Sequence, residues 1–524
     1  SVQATQRLRR DRLEVWNDVN EWMGHESGAA RGCAAGAAAQ NGFMLPPRGA
    51  KAYGVTSVRG LVRCARRRGG AGGLQITKPG SMGEAVAAGR LEVRIEGLGF
   101  RGEGWVAFDD GWLSIPGALP GEVVIVDVAP PSNARARRIW GTLREVVTPS
   151  PRRGDPHCGR VDVCRGCQLR HVAMVEELTI QSQTIVECLE KFAGVEPESM
   201  PQVTSIAIDG ATRADAFRVR STLSLQRVDG RYRAGLRAPM DALVPMGECP
   251  ALADSARRAV ARVEAALERF VPDEAAPELR QIRVASPVHG HGYVDLVVER
   301  HDPAFDALGA TLDELLPRDF GVAVTDGRER RHLRGPERIR LPMADLRLEV
   351  GFDDWFHATL EPAEKLYEVV GEWLGPLHGT TLLDAGCGVG TIGLIAARQG
   401  AQALGFDLNP ASVETAELNA MNNDLQVEFR CAAWERALRE LTLEGRRFET
   451  VVINPMREPL GPRPLAYLER LGAQRVLYLG PSAGPAAKDV GALRAMGWQL
   501  ERLGAANLHP ATYHVMMVAL LVRR

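Results

Sequence analysis

The stretch with the most chemical content is LLDAGCGVGTIGLIAARQ, where Gly386, Gly388 and Gly390 lie between a β-type apolar run and a helical one. Glycines at a strand-to-helix turn let the backbone pass close beneath a bulky cofactor, the arrangement used for adenosyl and dinucleotide ligands. Asp384, at the end of the strand, can accept hydrogen bonds near the amino-acid part of an adenosyl cofactor. Asp407, in ALGFDLNP about twenty residues on, is placed for ribose hydroxyls. The glycine pattern alone is shared by S-adenosylmethionine and NAD sites.

A second cluster lies in PHCGRVDVCRGCQLRH, where Cys158, Cys164 and Cys167 have C-x5-C-x2-C spacing. Three soft thiolates this close can grip an Fe–S cluster or a zinc ion, with a fourth ligand from elsewhere. Cys249, in the polar, proline-punctuated turn PMGECPALA, is the best supplier of that ligand. Cys188 sits on a predicted helix and reads as a buried small hydrophobe. Arg152, Arg153, Arg165 and Arg170 surround the cluster and form a candidate RNA-facing patch.

These residues need several elements to position them, and a chain of 524 residues is too long for one compact core. Its 64 basic and 65 acidic residues exclude a uniformly basic nucleic-acid binder and leave a local basic face open. Without a signal peptide or a continuous apolar run of membrane length, the expectation is a soluble, cytoplasmic protein with reduced cysteines. Residues 1–85 mix arginine clusters with Gly/Ala runs, which predicts a disordered extension, one version of which places a natural start at Met82. A basic RNA-binding arm is the functional alternative there.

Short alternating strands with glycine turns predict a small all-β barrel over 86–148. A cysteine-bearing segment opening a mixed α/β central domain is expected over 149–255, and the remainder of that domain over 256–350. The last unit, 351–524, alternates strands and helices from an amphipathic helix near Pro362 and predicts a Rossmann-like α/β domain.

With these residues in view, the chain resembles the bacterial 5-methyluridine RNA methyltransferases over about residues 90–524. ALPGEVVIVDV and the following Arg135, Arg137 and Arg138 resemble a TRAM domain, an OB-like barrel. Gln168 and His171 follow the cysteines as the family pattern asks, and AELNAMNN, with Asn419 and Asn422 or Asn423, resembles the family's helix. The resemblance implies a class I methyltransferase domain that binds S-adenosylmethionine through Asp384, Gly386, Gly388, Gly390, Asp407, Asn454 and His357. It also implies a [4Fe-4S] cluster on Cys158, Cys164, Cys167 and Cys249, and structured RNA, rRNA or tRNA, as partner.

The chemistry departs from that family. Methylation at carbon 5 of uridine needs a cysteine thiolate to add at carbon 6 and a base to remove the carbon 5 proton. In YLGPSAGPAAKDV the nucleophile's position is Pro481, and in NLHPATYHVMMVALL the base's position is Met516. Proline offers no nucleophilic side-chain atom, and a thioether does not take up a proton at neutral pH as a carboxylate does. In DDWFHATLEP, His357 and Thr359 replace the family's glutamine and asparagine. INPMREPLG keeps Pro455 and Arg457 of a family motif of aspartate-proline-proline-arginine, with Asn454 in place of the acid and Met456 in place of the second proline. The expectation is an RNA- and S-adenosylmethionine-binding relative without the standard reaction. Two alternatives stand beside it: a methyltransferase with another target atom, using Asn454 or His357, and an RNA- or ribosome-associated scaffold.

Overall fold

The computed structural model describes residues 89–523 except 109–110, 130–137, 208–214, 239–241, 271–278, 289 and 302–303. All of these belong to the compact unit Arg67–Arg524. The expected extension over 1–85, Met82, Arg135 and Arg137 lie outside the described residues.

Six strands come first: β1 (Gly89–Arg94), β2 (Gly97–Leu98), β3 (Gly104–Phe108), β4 (Gly111–Ile115), β5 (Val123–Val128) and β6 (Arg138–Thr148). They pair in the order β1-β5-β6-β4-β3-β2. The period-two pattern of VVIVDV turns Val124, Val126 and Val128 inward, where they meet Ile95, Leu113 and Ile115 in one small core. Helix α1 (Met174–Ala193) follows, closed by Gly194 in the left-handed conformation.

Strand β7 (Val203–Ile206) leaves α1 and joins the C-terminal sheet rather than the central one. The central domain contains β8 (Arg220–Val228), β9 (Arg231–Arg237), β10 (Leu243–Pro245), α2 (Asp254–Phe270), β11 (Leu279–Val288), β12 (His291–Val298), α3 (Ala304–Leu315), β13 (Phe320–Thr325) and β14 (Arg330–Arg334). Its seven strands run β10-β9-β8-β11-β12-β13-β14. Leu223, Ile282, Val294 and Val322 pack with Ala256, Val263 and Leu312 of the two helices in one core. A hairpin, β15 (Arg338–Met343) with β16 (Leu346–Gly351), leads on to α4 (Glu361–Leu374).

The C-terminal unit alternates β17 (Thr381–Ala385), α5 (Thr391–Arg398), β18 (Gln402–Asp407), α6 (Pro410–Asn422), β19 (Val427–Cys431), α7 (Trp434–Leu443) and β20 (Thr450–Ile453). It continues through α8 (Pro462–Leu465), α9 (Tyr467–Arg470), β21 (Arg475–Gly480), α10 (Ala483–Ala495), β22 (Gln499–Ala506) and β23 (Met516–Val522). The strand order is β19-β18-β17-β20-β21-β23-β22-β7, parallel from β19 to β21, with β23 antiparallel. The multidomain α/β architecture with a terminal Rossmann-like domain is therefore present.

The expected iron–sulfur centre is not upheld. Among the described residues no group of three or more His, Cys, Asp or Glu side chains is arranged to hold a metal ion. Cys158, Cys164, Cys167 and Cys249 are free thiols. Burial is the main cause that pushes Cys164 up and Cys167 up to about 11. The [4Fe-4S] part of the sequence resemblance, and the ligand set drawn from it, are corrected accordingly.

Candidate functional site

The order of the sheet reverses between β17 and β20, and in open α/β sheets such a switch point opens a crevice at the carboxyl ends of the strands. The glycine turn after β17 lies there. Gly386, Gly388 and Gly390 have φ of +79°, +52° and +87°, a region that favours glycine. A Cβ on Gly386 would stand 2.2 Å from the Asn454 carbonyl oxygen, whereas one on Gly388 would meet nothing within 4 Å. The first glycine thus lets the turn close onto the end of β20, and the second leaves the turn open above.

Two carboxylates brace this turn. Asp384 Oδ2 accepts from the Gly393 amide at 2.9 Å, while its Oδ1 is buried with no hydrogen-bond partner. Burial, with Asp407 adding repulsion, pushes Asp384 up to about 7. Asp407 accepts from the Gly388 amide through Oδ2 and from the Asn409 amide through Oδ1, both at 2.9 Å, and burial raises its pKa. The unpartnered acceptor at Asp384 suits a cationic or N–H donor, and Asp407 keeps lone pairs for hydroxyls. That set of acceptors fits an adenosyl amino acid. Asn419 supports the turn from α6, donating to Val389 O at 3.0 Å and Glu349 O at 3.1 Å.

Asn454 follows β20; its amide nitrogen donates to Ala385 O at 2.9 Å and its side chain reaches Gly386 O at 3.5 Å. His357 is buried, with Nε2 3.1 Å from the Tyr367 hydroxyl. Trp355 packs edge-on to the imidazole at 4.9 Å between centroids and remains 57% exposed. Thr359 donates to Leu508 O at 2.7 Å, tying this segment to the loop before β23.

Pro481 follows β21, and Ser482 caps α10 through its backbone position. The neighbouring Tyr478 donates to Asp489 at 2.6 Å, and Asp489 accepts from the Leu460 and Gly461 amides. Those two residues brace the turn before α8. Met516 is 5% exposed and packs in the apolar core with Leu508 and Val518.

The segment between β22 and β23 brings together two histidines that sequence reasoning did not single out as site residues. The rings of His509 and His514 are 6.0 Å apart at 72°. Burial holds His509 down to about 3 and His514 to about 4, with positive Arg218 and Arg457 assisting, so both are neutral at physiological pH. The signal was present in HPATYH, two imidazoles in a loop between strands, but nothing in spacing alone tells an inward loop from an outward one.

Glu177 of α1 fastens this segment, accepting from Asn507 Nδ2 and the Ala511 amide, each at 2.9 Å. Burial pushes Glu177 up from the ordinary carboxylate range to about 7. A raised carboxyl contributes stability that is present below about pH 4.5 and lost as pH rises through about 7. The lowered histidines act with the opposite sign, so the informative quantity is a difference. Glu177→Gln should gain on the wild type by about 3 kcal/mol between pH 4.5 and 8, measured by denaturant melts. A difference that stays constant with pH would show that Glu177 does not titrate in this window.

Of the four candidate RNA-facing arginines, Arg153 donates to Glu122 at 2.6 and 2.7 Å, and Arg170 pairs with Asp215. Arg152 lies 3.3 Å from Glu176, and Arg165 is exposed. Among the described residues, no helix is long and apolar enough to cross a membrane.

A family described as a methyltransferase domain matches residues 377–480, from just before β17 to the end of β21. An uncharacterized RNA methyltransferase of Listeria innocua is 28% identical over 455 residues, covering 83% of this chain and 98% of that protein. The 23S rRNA (uracil(1939)-C(5))-methyltransferase of Pseudomonas aeruginosa is 26% identical over 465 residues, covering 86% and 98%. Among solved structures, the tRNA (uracil-54, C5)-methyltransferase of Pyrococcus abyssi, in complex with S-adenosyl-L-homocysteine, shares the fold with a TM-score of 0.64 and 23% identity. It covers 82% of this chain and is itself covered completely, at 100%. Over most of its length the chain is thus similar in sequence to RNA methyltransferases, and it shares its fold, with the methyltransferase-type sheet and glycine turn, with the Pyrococcus abyssi enzyme.

Proposed function

We propose that this protein binds S-adenosylmethionine and structured RNA, rRNA or tRNA, and does not perform the cysteine-dependent formation of 5-methyluridine. The observation that carries the reading is Pro481 directly after β21, at the family position of the nucleophile, together with Met516 packed in the core at the position of the base. In this reading the turn Gly386–Gly390, Asp384, Asp407 and Asn454 hold the donor, which supplies an electrophilic methyl group when bound. His357 has a supporting role, since it is buried against Tyr367.

A second reading, methylation of a different RNA atom, is favoured by the paired neutral imidazoles of His509 and His514. A neutral imidazole can accept a hydrogen bond from a nitrogen or hydroxyl nucleophile and orient it, and such a nucleophile needs no covalent activation by cysteine. Transfer of labelled methyl groups to RNA, resolved by nucleoside, separates these readings. Efficient production of 5-methyluridine would overturn the first.

A further inference from the structure

We infer that Trp112, Arg138 and Trp140, on the outer face of the six-stranded N-proximal sheet, form a stacking platform for unpaired RNA bases. The inference rests on the proposed RNA partner and assigns a binding surface to it.

Strand β4 pairs parallel with β6 in the register Trp112↔Arg138, Leu113↔Ile139, Ser114↔Trp140. Alternation along paired strands gives the two faces opposite characters. Leu113 and Ile139 point into the small core, while Trp112, Arg138 and Trp140 share the other face. Trp112 is 43% and Trp140 48% exposed. Two large indoles left in water on adjacent strands of one small sheet are unusual for a surface with only a solvation role.

Arg138 gives the face its charge and its planarity. Its guanidinium carbon lies 4.1 Å from the centre of the Trp140 ring. Nε donates to Ser114 Oγ at 3.0 Å, and Nη2 pairs with Glu103. The Glu103 side chain is 7% exposed against 32% for Arg138, so the carboxylate is hidden beneath and the cation faces outward. The guanidinium is thereby held in a fixed plane beside an indole before any ligand arrives, which lowers the ordering cost of binding.

A nucleobase matches this chemistry: it is flat, stacks on indole and guanidinium faces, and brings a phosphate that a nearby cation favours. An aliphatic protein surface would instead cover the arginine and desolvate its charge. A Cβ on Gly102, in the turn between β2 and β3, would lie 2.9 Å from Leu169 and 3.5 Å from Tyr513, beside His514. The sheet is therefore seated against the loop that carries the histidine pair.

The test is fluorescence anisotropy of the full-length protein with a labelled single-stranded oligouridine of about twelve nucleotides. Trp112→Ala with Trp140→Ala should weaken binding about tenfold to a hundredfold, with the salt dependence unchanged because stacking is not ionic. Trp112→Phe with Trp140→Phe keeps a π face and should retain most of the affinity. Alanine variants that bind within about twofold of wild type would overturn the platform and leave the RNA reading intact. Equal losses in the alanine and phenylalanine pairs would overturn it as well. A wild-type chain that binds neither this oligomer nor structured RNA would overturn both.

Discussion

Gly386→Ala should abolish measurable binding of S-adenosylmethionine. The residue has φ +79°, and the added methyl would stand 2.2 Å from the Asn454 carbonyl oxygen and 3.1 Å from the Trp434 ring. The obstacle is backbone at the end of β20, which cannot swing aside as a flexible side chain would. The turn must therefore lift away from β20, carrying Asp384 and the amides near it out of position. Left-handed strain adds about 1 kcal/mol to the cost of that displacement. Together the two should lower donor affinity by at least about a hundredfold, roughly 3 kcal/mol. Gly388→Ala is the matched comparison for the fold, because its Cβ meets no protein atom within 4 Å and costs the turn the left-handed strain alone, while its methyl enters the space proposed for the donor. Denaturant melts of both variants read the difference in stability, and calorimetric titration reads the loss of donor binding. If Gly386→Ala bound the donor as well as wild type, the turn would not be the donor site.

Met516→Glu, which restores the family's base in sequence, should destabilise the protein by about 3 to 5 kcal/mol rather than confer activity. Met516 is 5% exposed, at the start of β23, among Leu508, Val518 and other apolar side chains. A carboxylate there would lose its hydration without gaining a cation or an adequate set of donors, and would take up a proton instead. A neutral acid is no base. Pro481→Cys alone is expected to leave 5-methyluridine formation absent, since the base would still be missing. Denaturant titration measures the first effect and nucleoside analysis the second. A stable Met516→Glu protein that forms 5-methyluridine when combined with Pro481→Cys would show that the site can hold a uridine in reactive geometry.

How far the sequence revealed this site depended on the range of the interactions involved. The strand–glycine turn–helix unit, with Asp384 and Asp407 beside the turn, could be read from the sequence because its elements are local. The alternation in VVIVDV likewise exposed the small β domain. By contrast, β7 was not readable as part of the C-terminal sheet. Its four residues, VTSI, pair with Leu503–Ala506 about three hundred residues away, and only the closing of the whole domain decides that partner.

The cysteines mark a different limit. Spacing fixes which thiols are neighbours along the chain, but not whether their side chains take up a ligating arrangement, and among the described residues no group of three or more does. Arg153 and Arg170 carry the same lesson: basic residues around a motif suggested an RNA-facing patch, yet both are engaged by Glu122 and Asp215. His357 was equally ambiguous in sequence, and its partner turned out to be Tyr367, one helix away. The paired histidines and the tryptophan face escaped notice because each joins residues whose common face is set by strand register or loop closure.

The most direct measurement of the central claim is methyl transfer from labelled S-adenosylmethionine to unmodified cellular RNA by the purified full-length protein, followed by nucleoside mass spectrometry. The expected result is donor binding with no labelled 5-methyluridine; a label in another nucleoside, lost on replacing His509 and His514, would select the altered-target reading. Catalytic formation of 5-methyluridine would contradict the account, because it would require a nucleophile other than the residue at position 481.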